Sequence, residues 1–321
     1  MIKAQNLVKW FGPKLAVDDV SFTVNRGEVL GFLGPNGAGK STTMRMITGF
    51  LPPSDGSVSI DGHDMSEDAI EARSRIGYLP ENAPAYPEMT VESFLRFVVE
   101  LRGMRGESVR ETVDQVVETC YLEPVYYQTI DTLSKGYRHR VCFAQAIIHD
   151  PPVLVMDEPT DGLDPNQKHE VRNMIKRMGK EKAIIISTHI LEEVDAVCSR
   201  VIIIDQGRLV FNGSPDDLRN RSETAGTVTL RVRGRKAAEV VEPVKGVDSV
   251  RDVLVVEENP ESVLLRVSPA KKDGTPVRVA GDLAGLITEK GWKFDELHTE
   301  NGRLDDVFRT ITISETQRED A

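Results

Sequence analysis

VLGFLGPNGAGKSTTMRMITGF, residues 29–50, reads as three consecutive pieces of local structure. Val29 to Leu33 is a short apolar run of the kind that forms a strand buried on both faces. Gly34-Pro35-Asn36-Gly37-Ala38-Gly39-Lys40-Ser41 then fits the pattern GxxxxGK[ST], and a helical run begins at Thr42. In this strand–loop–helix order the glycines let the backbone curl so that successive N–H groups converge on a phosphate. The helix N-terminus adds the positive end of its dipole. Gly34 through Thr42 are therefore the expected phosphate cradle, with Lys40 placed to hold β- and γ-phosphates and the Ser41 hydroxyl to face Mg²⁺.

A second chemical feature lies at residues 153–159, VLVMDEP, an apolar strand ending in two acids. The carboxyl edge of a parallel sheet is where ligands are met. Asp157 is expected to bind Mg²⁺, and Glu158 to act as the general base that polarises an attacking water. Alone, a strand ending in Asp-Glu would more often be a solvated edge; coupled to the loop at Lys40, the chemical reading prevails.

Around these motifs the chain has 321 residues, enough for about two domains at ~150 residues each. Hydrophobic residues make up 40% and charged residues 28%, a globular composition. The 40 Lys+Arg against 51 Asp+Glu leave a net charge of −11, which disfavours free-standing nucleic-acid binding, so no nucleic-acid partner is expected. No stretch approaches the ~20 apolar residues of a membrane-spanning helix. Cys120, Cys142 and Cys198 are scattered without CxxC spacing, and the first residues, MIKAQNLVKWFG, lack an apolar signal core. These features predict a cytoplasmic protein with reduced thiols and no cysteine metal site.

Apolar runs at Val29–Leu33, Val153–Met156, Ala183–Ile186 and Val201–Ile204, each followed by a turn, predict the parallel strands of an α/β domain. Between about 86 and 146 the pattern becomes helical, with Val91–Leu101 and Val109–Cys120 apolar at three- and four-residue intervals, predicting an inserted helical subdomain. A turn-rich stretch after Phe211 places a domain boundary at 222–226. Beyond it, strand Thr227–Val232, helix Lys236–Val241, strands Ser249–Val256 and Ser262–Val267, helix Val277–Lys290, strand Lys293–His298 and helix Leu304–Thr310 follow in turn. The βαββαβ order predicts a ferredoxin-like α+β module over 226–313, with 314–321 as a frayed tail. Residues 222–321 hold 15 basic and 19 acidic side chains, so this half is not a basic surface either.

Over about residues 1–220 the chain resembles the ATP-binding subunits of ABC transporters. Leu133-Ser134-Lys135-Gly136-Tyr137 stands where that family has its signature loop, usually LSGGQ, about twenty residues before the Asp157 strand. Lys135 and Tyr137 depart from the pattern, while Ser134 and Gly136 remain, the residues that in the family meet the γ-phosphate of ATP held by the opposite subunit. An ordinary helix cap is the plainer role for Ser134. Asp161-Gly162-Leu163-Asp164-Pro165 matches the family's D-loop, with Asp164 joining the two sites and Asp161 replacing a usual small residue. His189, after Ser187-Thr188, resembles the switch histidine that reads the γ-phosphate. Glu81 stands where the Q-loop glutamine is expected. It remains a hard oxygen ligand for Mg²⁺, and a solvated loop acid is the alternative. Phe11 matches the aromatic residue that stacks on adenine, with Trp10 as the other candidate.

The resemblance implies a head-to-tail homodimer sandwiching two ATP, in which each Ser134 completes the site around the other copy's Lys40. It further implies ATP hydrolysis driving a separate integral-membrane permease, which would hold the protein at the inner face of the membrane. The stretch 76–95, the LSKGYRHRV variant and the C-terminal LDDVFRTIT resemble the multidrug and polysaccharide export branch, closest to gliding-motility-associated members, with copper-processing subunits of nitrous oxide respiration next. The alternative is a soluble ATPase of the same type acting in translation or DNA repair. A single phosphate loop, no heptad run and no zinc spacing favour transport.

Overall fold

The apolar run at 29–33 forms a five-residue strand with every residue buried, and the rest of its domain is arranged around it. In the computed structural model, which describes residues 1–81, 85–272 and 275–316, the chain divides into two compact units, Met1–Gly213 and Ser214–Ala321. The first unit begins β1 (Ile2–Phe11), β2 (Lys14–Val24), β3 (Val29–Leu33), α1 (Lys40–Ile47), β4 (Asp55–Ile60), β5 (His63–Asp64), α2 (Ala69–Ser74) and β6 (Ile76–Leu79). Helices α3 (Val91–Leu101), α4 (Glu107–Thr119) and α5 (Lys135–Ile147) follow. It ends with β7 (Val153–Asp157), α6 (Pro165–Met178), β8 (Ala183–Ser187), α7 (Leu191–Val197), β9 (Arg200–Asp205) and β10 (Arg208–Gly213).

The six-stranded sheet has the order β10-β9-β3-β8-β7-β6, parallel from β9 to β6, with β10 closing one edge antiparallel to β9. Parity divides the central strands between two cores. Leu154 and Met156 of β7 pack with the helical side, which includes Phe94, Val113 and Phe143. Val153 and Val155 pack with Leu7, Phe22 and Ile47 on the other. Burial on both faces is why these strands read as unbroken apolar runs rather than alternations.

A second sheet, β2-β1-β4-β5, is antiparallel and was not expected from the sequence. Register shifts between Ala4 and Leu7 and between Leu7 and Lys9 break the two-residue period of β1, and Asn6 takes a positive φ of 47° there. Bulges of this kind hide a strand from periodicity. In the helical segment, α3 occupies 91–101 as expected, with Thr90 as its N-cap accepting the Ser93 N–H at 3.1 Å. The second expected helix starts two residues earlier, at Glu107.

The second unit contains α8 (Pro215–Asn220), β11 (Val228–Arg233), α9 (Ala237–Lys245), β12 (Val250–Glu258) and β13 (Ser262–Pro269). A small hairpin, β14 (Lys271–Lys272) and β15 (Thr275–Pro276), precedes α10 (Ala280–Glu289), β16 (Lys293–Thr299) and α11 (Leu304–Thr316). Its sheet runs β12-β13-β11-β16, antiparallel throughout, over a core of Val228, Leu230, Val240, Leu265 and Leu283. The division after Gly213 lies ahead of the boundary expected at 222–226, because α8 packs with α11 of the second unit. The final helix also continues six residues past the expected Thr310, through the first part of the tail; residues 317–321 lie outside the described residues.

Candidate functional site

The loop between β3 and α1 has the backbone a phosphate cradle needs. Gly37 and Gly39 take φ of 84° and 106°, the left-handed region that side chains disfavour. A Cβ on Gly39 would lie 2.6 Å from the Ala16 carbonyl oxygen, and one on Gly34 would lie 2.4 Å from that of Ile204. Glycine there lets the loop sit against β2 and β9. Ala38 is buried, Pro35 partly so, and Asn36 and Gly37 are exposed at the loop's crown. Lys40 is 7% exposed and folds back, its Nζ donating to the Gly34 carbonyl at 2.7 Å and to Pro35 at 3.1 Å. Ser41 and Thr42 are half-buried in the first turn of α1, which carries no acidic residue to cancel its dipole.

Strand β7 delivers Asp157, 5% exposed, at its carboxyl end. Burial lowers the Lys40 pKa, opposed by the negative charges of Glu158, Asp157 and Glu81, which draws all four groups into one electrostatic site. Glu158 follows with φ of 50°, a left-handed conformation costing a non-glycine residue about 1–2 kcal/mol. Its N–H donates to the Ser187 carbonyl at 2.9 Å, tying the turn to the end of β8. That bend aims the carboxylate at the residues after β8. Oε1 lies 2.8 Å from His189 Nδ1, and Oε2 lies 3.3 Å from the Thr188 hydroxyl.

The signature turn is the N-terminus of α5. Ser134 caps it, Oγ accepting the Tyr137 N–H at 3.3 Å, which leaves the hydroxyl proton free to be donated outward from an exposed position. The two departures at Lys135 and Asp161 meet: Lys135 Nζ donates to Asp161 Oδ2 at 3.1 Å. Tyr137 lies under the Arg140 guanidinium, 5.5 Å from ring centroid to Cζ. Gly136 is buried against Gln167, whose amide would stand 2.3–2.5 Å from any Cβ there. Gln167 in turn forms a capping box with Asp164, the N-cap of α6. The D-loop and the signature turn are thus one packed unit. Phe11 and Trp10, each 48% exposed, sit at the tip of the β1–β2 hairpin, whose stem meets the phosphate loop at Ala16.

The family-level match is to "ABC transporter", over residues 17–161. The linearmycin resistance ATP-binding protein LnrL of Bacillus subtilis is 33% identical over 258 residues, 80% of this chain and 83% of that protein. The chain belongs to the ABC transporter ATP-binding family. The probable multidrug ABC transporter ATP-binding protein YbhF of Escherichia coli is 37% identical over 223 residues, and the matched region spans 69% of this chain but 38% of that relative's length. Among solved structures, the dimeric structure of MJ0796, a bacterial ABC transporter cassette, is 25% identical with a TM-score of 0.63, covering 67% of this chain and 99% of that one.

The ABC fold therefore brings Lys40, Asp157, Glu158, Glu81 and His189 together within one copy, while Ser134, Gly136 and Asp164 form a second cluster on α5 and α6. Among the described residues no group of three His, Cys, Asp or Glu could hold a metal by itself. Mg²⁺ takes one or two carboxylates and finds its remaining oxygens on phosphate and water; Ser41, Asp157 and Glu81 are oxygen donors of the type it takes. Two groups escaped the sequence reading. Thr188 was legible only as a neighbour of His189, and Glu193, 2% exposed, looks in sequence like one half of an ordinary solvated Glu192-Glu193 pair.

Proposed function

We propose that this protein is the ATP-hydrolysing subunit of an ABC exporter, working as a head-to-tail homodimer that closes on two ATP and drives a separate membrane permease. The observation that carries the reading is the set of Lys40, Glu158 and His189 around one cradle, with Glu158 and His189 in direct contact at 2.8 Å. Gly34 to Thr42 bind the triphosphate, and Ser41, Asp157 and Glu81 hold Mg²⁺, which when bound neutralises phosphate charge. Glu158 accepts the proton of the attacking water. A neutral His189 that donates Nδ1–H to Glu158 presents Nε2 only as an acceptor. To donate to the γ-phosphate, the ring must carry both protons or release Glu158.

Ser134 and Gly136 complete the site from the opposite copy, where the free Ser134 proton reaches the γ-phosphate and Asp164 supports the junction. Phe11, or Trp10 beside it, stacks on adenine. ATP favours the closed pair through contacts to both copies, and loss of the γ-phosphate reopens it. The multidrug transport and linearmycin resistance for which YbhF and LnrL are named support export, and the dimeric MJ0796 cassette supports the paired assembly.

A groove of about 500 Å³ lined by Tyr86, Phe94, Phe97 and Leu101 is the docking place for a short permease helix, keeping the protein peripheral at the inner membrane face. Among the described residues no helix is long and apolar enough to cross a membrane. The sheet order β12-β13-β11-β16 with α9 and α10 as crossovers supports reading residues 226–313 as a ferredoxin-like accessory domain. The test is light scattering of the Glu158→Gln form: it dimerises on adding ATP and Mg²⁺, and a persistent monomer with bound nucleotide would contradict the sandwich.

A further inference from the structure

Thr188 Oγ is the meeting point of three polar groups. It accepts the Ile190 N–H at 3.1 Å, and it faces Glu193 Oε2 at 2.9 Å and Glu158 Oε2 at 3.3 Å. A hydroxyl has one proton to give and two lone pairs to accept with. If both glutamates are ionised, that proton goes to the nearer oxygen, on Glu193. Glu158 Oε2 is then left against lone pairs, and the general base is held by His189 alone. If Glu193 carries a proton, it donates to Thr188, the hydroxyl proton turns to Glu158, and each of the three contacts has one hydrogen.

Placing the proton on Glu158 would balance the count too, but that carboxyl lies at the mouth of the site with the His189 ring already on it. Glu193 is the more deeply buried of the two, and its other oxygen, Oε1, has no hydrogen-bond partner. A buried carboxylate with an unpaired oxygen is far costlier than a buried neutral acid. Lys168 and Arg172 face Glu193 from α6 and Glu158 faces it from the turn after β7; burial outweighs the Thr188 hydrogen bond and the two cations and pushes its carboxyl above the usual range.

We propose that Glu193 is a positioning residue for the general base: as a neutral acid it donates to Thr188, whose hydroxyl then donates to Glu158 and holds its carboxylate toward the phosphate loop. The inference rests on the ATPase reading above. Glu193 is buried and acts through Thr188, so its loss lowers turnover without weakening ATP binding.

The experiment is steady-state ATP hydrolysis by the full-length protein and its Glu193→Ala, Glu193→Gln, Thr188→Val and Glu193→Ala/Thr188→Val forms, with thermal melts and fluorescent-nucleotide binding on each. A misoriented catalytic group costs about ten- to a hundredfold. Glu193→Ala and Thr188→Val are each expected to lose kcat by that factor with KM for ATP within about twofold of wild type, and the double substitution to lose no more than either alone. Glu193→Gln, whose amide is also a neutral donor, restores most of the loss, as Thr188→Ser does for Thr188→Val. The proposal is overturned if Glu193→Ala keeps wild-type kcat, if Glu193→Gln is as slow as Glu193→Ala, or if the double substitution is additive. Should Glu193→Ala fail to fold, the Glu193→Gln and Thr188 forms decide: wild-type kcat in Thr188→Val overturns it. A wild-type protein without ATPase activity sinks the functional reading itself, a result distinct from any pattern among the variants.

Discussion

The Lys40 ammonium is held against the Gly34 and Pro35 carbonyls in the same loop that must receive phosphate, so the cradle is set before ligand arrives. Removing one such donor from the transition state commonly costs about 3 kcal/mol, or roughly a hundredfold in rate. Lys40→Ala is therefore expected to lose hydrolysis by at least that factor and nucleotide affinity with it. Glu158→Gln loses turnover while binding persists, a contrast that parallel titrations with labelled ATP and a phosphate-release assay would expose. The Lys135–Asp161 pair is a different kind of contact. Both side chains are more than half exposed, and pairs of that type contribute from nothing to about 1 kcal/mol. A double-mutant cycle of Lys135→Gly and Asp161→Ser in urea unfolding should return a coupling energy no larger than that.

At the level of elements, α5 illustrates how a structural and a chemical role share one atom. Ser134 Oγ caps the helix as an acceptor, and in the head-to-tail dimer proposed above its proton is left for the phosphate on the opposite copy. Ser134→Ala is expected to lower stability by about 1 kcal/mol through the lost cap and to abolish ATP-driven dimerisation as well. Ser134→Asn separates the effects, since asparagine caps as well as serine but offers an amide in place of the hydroxyl. Urea midpoints return to wild type in that form while ATP-driven dimerisation measured by scattering stays impaired. Recovery of dimerisation there would mean that the cap, and not the hydroxyl, is what the closed pair requires.

Across the whole molecule, two buried histidines add to the acid sensitivity of the first unit. Burial holds His139 and His149 at about 4, below the usual 6.5. The unfolded chain binds protons at these sites that the folded one refuses, so their contribution to stability is fully present above about 6.5 and is lost as pH drops toward about 4. Urea midpoints measured from pH 7.5 to 4.5 should decline, and His139→Gln should flatten the slope. The separate cores of Met1–Gly213 and Ser214–Ala321 predict two calorimetric transitions. ATP with Mg²⁺ raises the one belonging to the first unit, by about 2.7 kcal/mol at a hundred times Kd. What could be read from the chain alone was whatever neighbours in sequence decide: the strand–loop–helix at 29–47, the acids closing 153–158, the helix at 91–101 and the alternation of strands and helices in both units. Local propensity and hydrophobic period act over a turn or two, and these features need no more. The bulged β1, the joining of Lys135 to Asp161 and the chain from Glu193 through Thr188 to Glu158 were settled only by tertiary structure. The two side-chain contacts join segments up to 35 residues apart in sequence, the bulges of β1 exist only in its pairing with β2 and β4, and whether an ordinary acid is buried or solvated is a property of the folded chain.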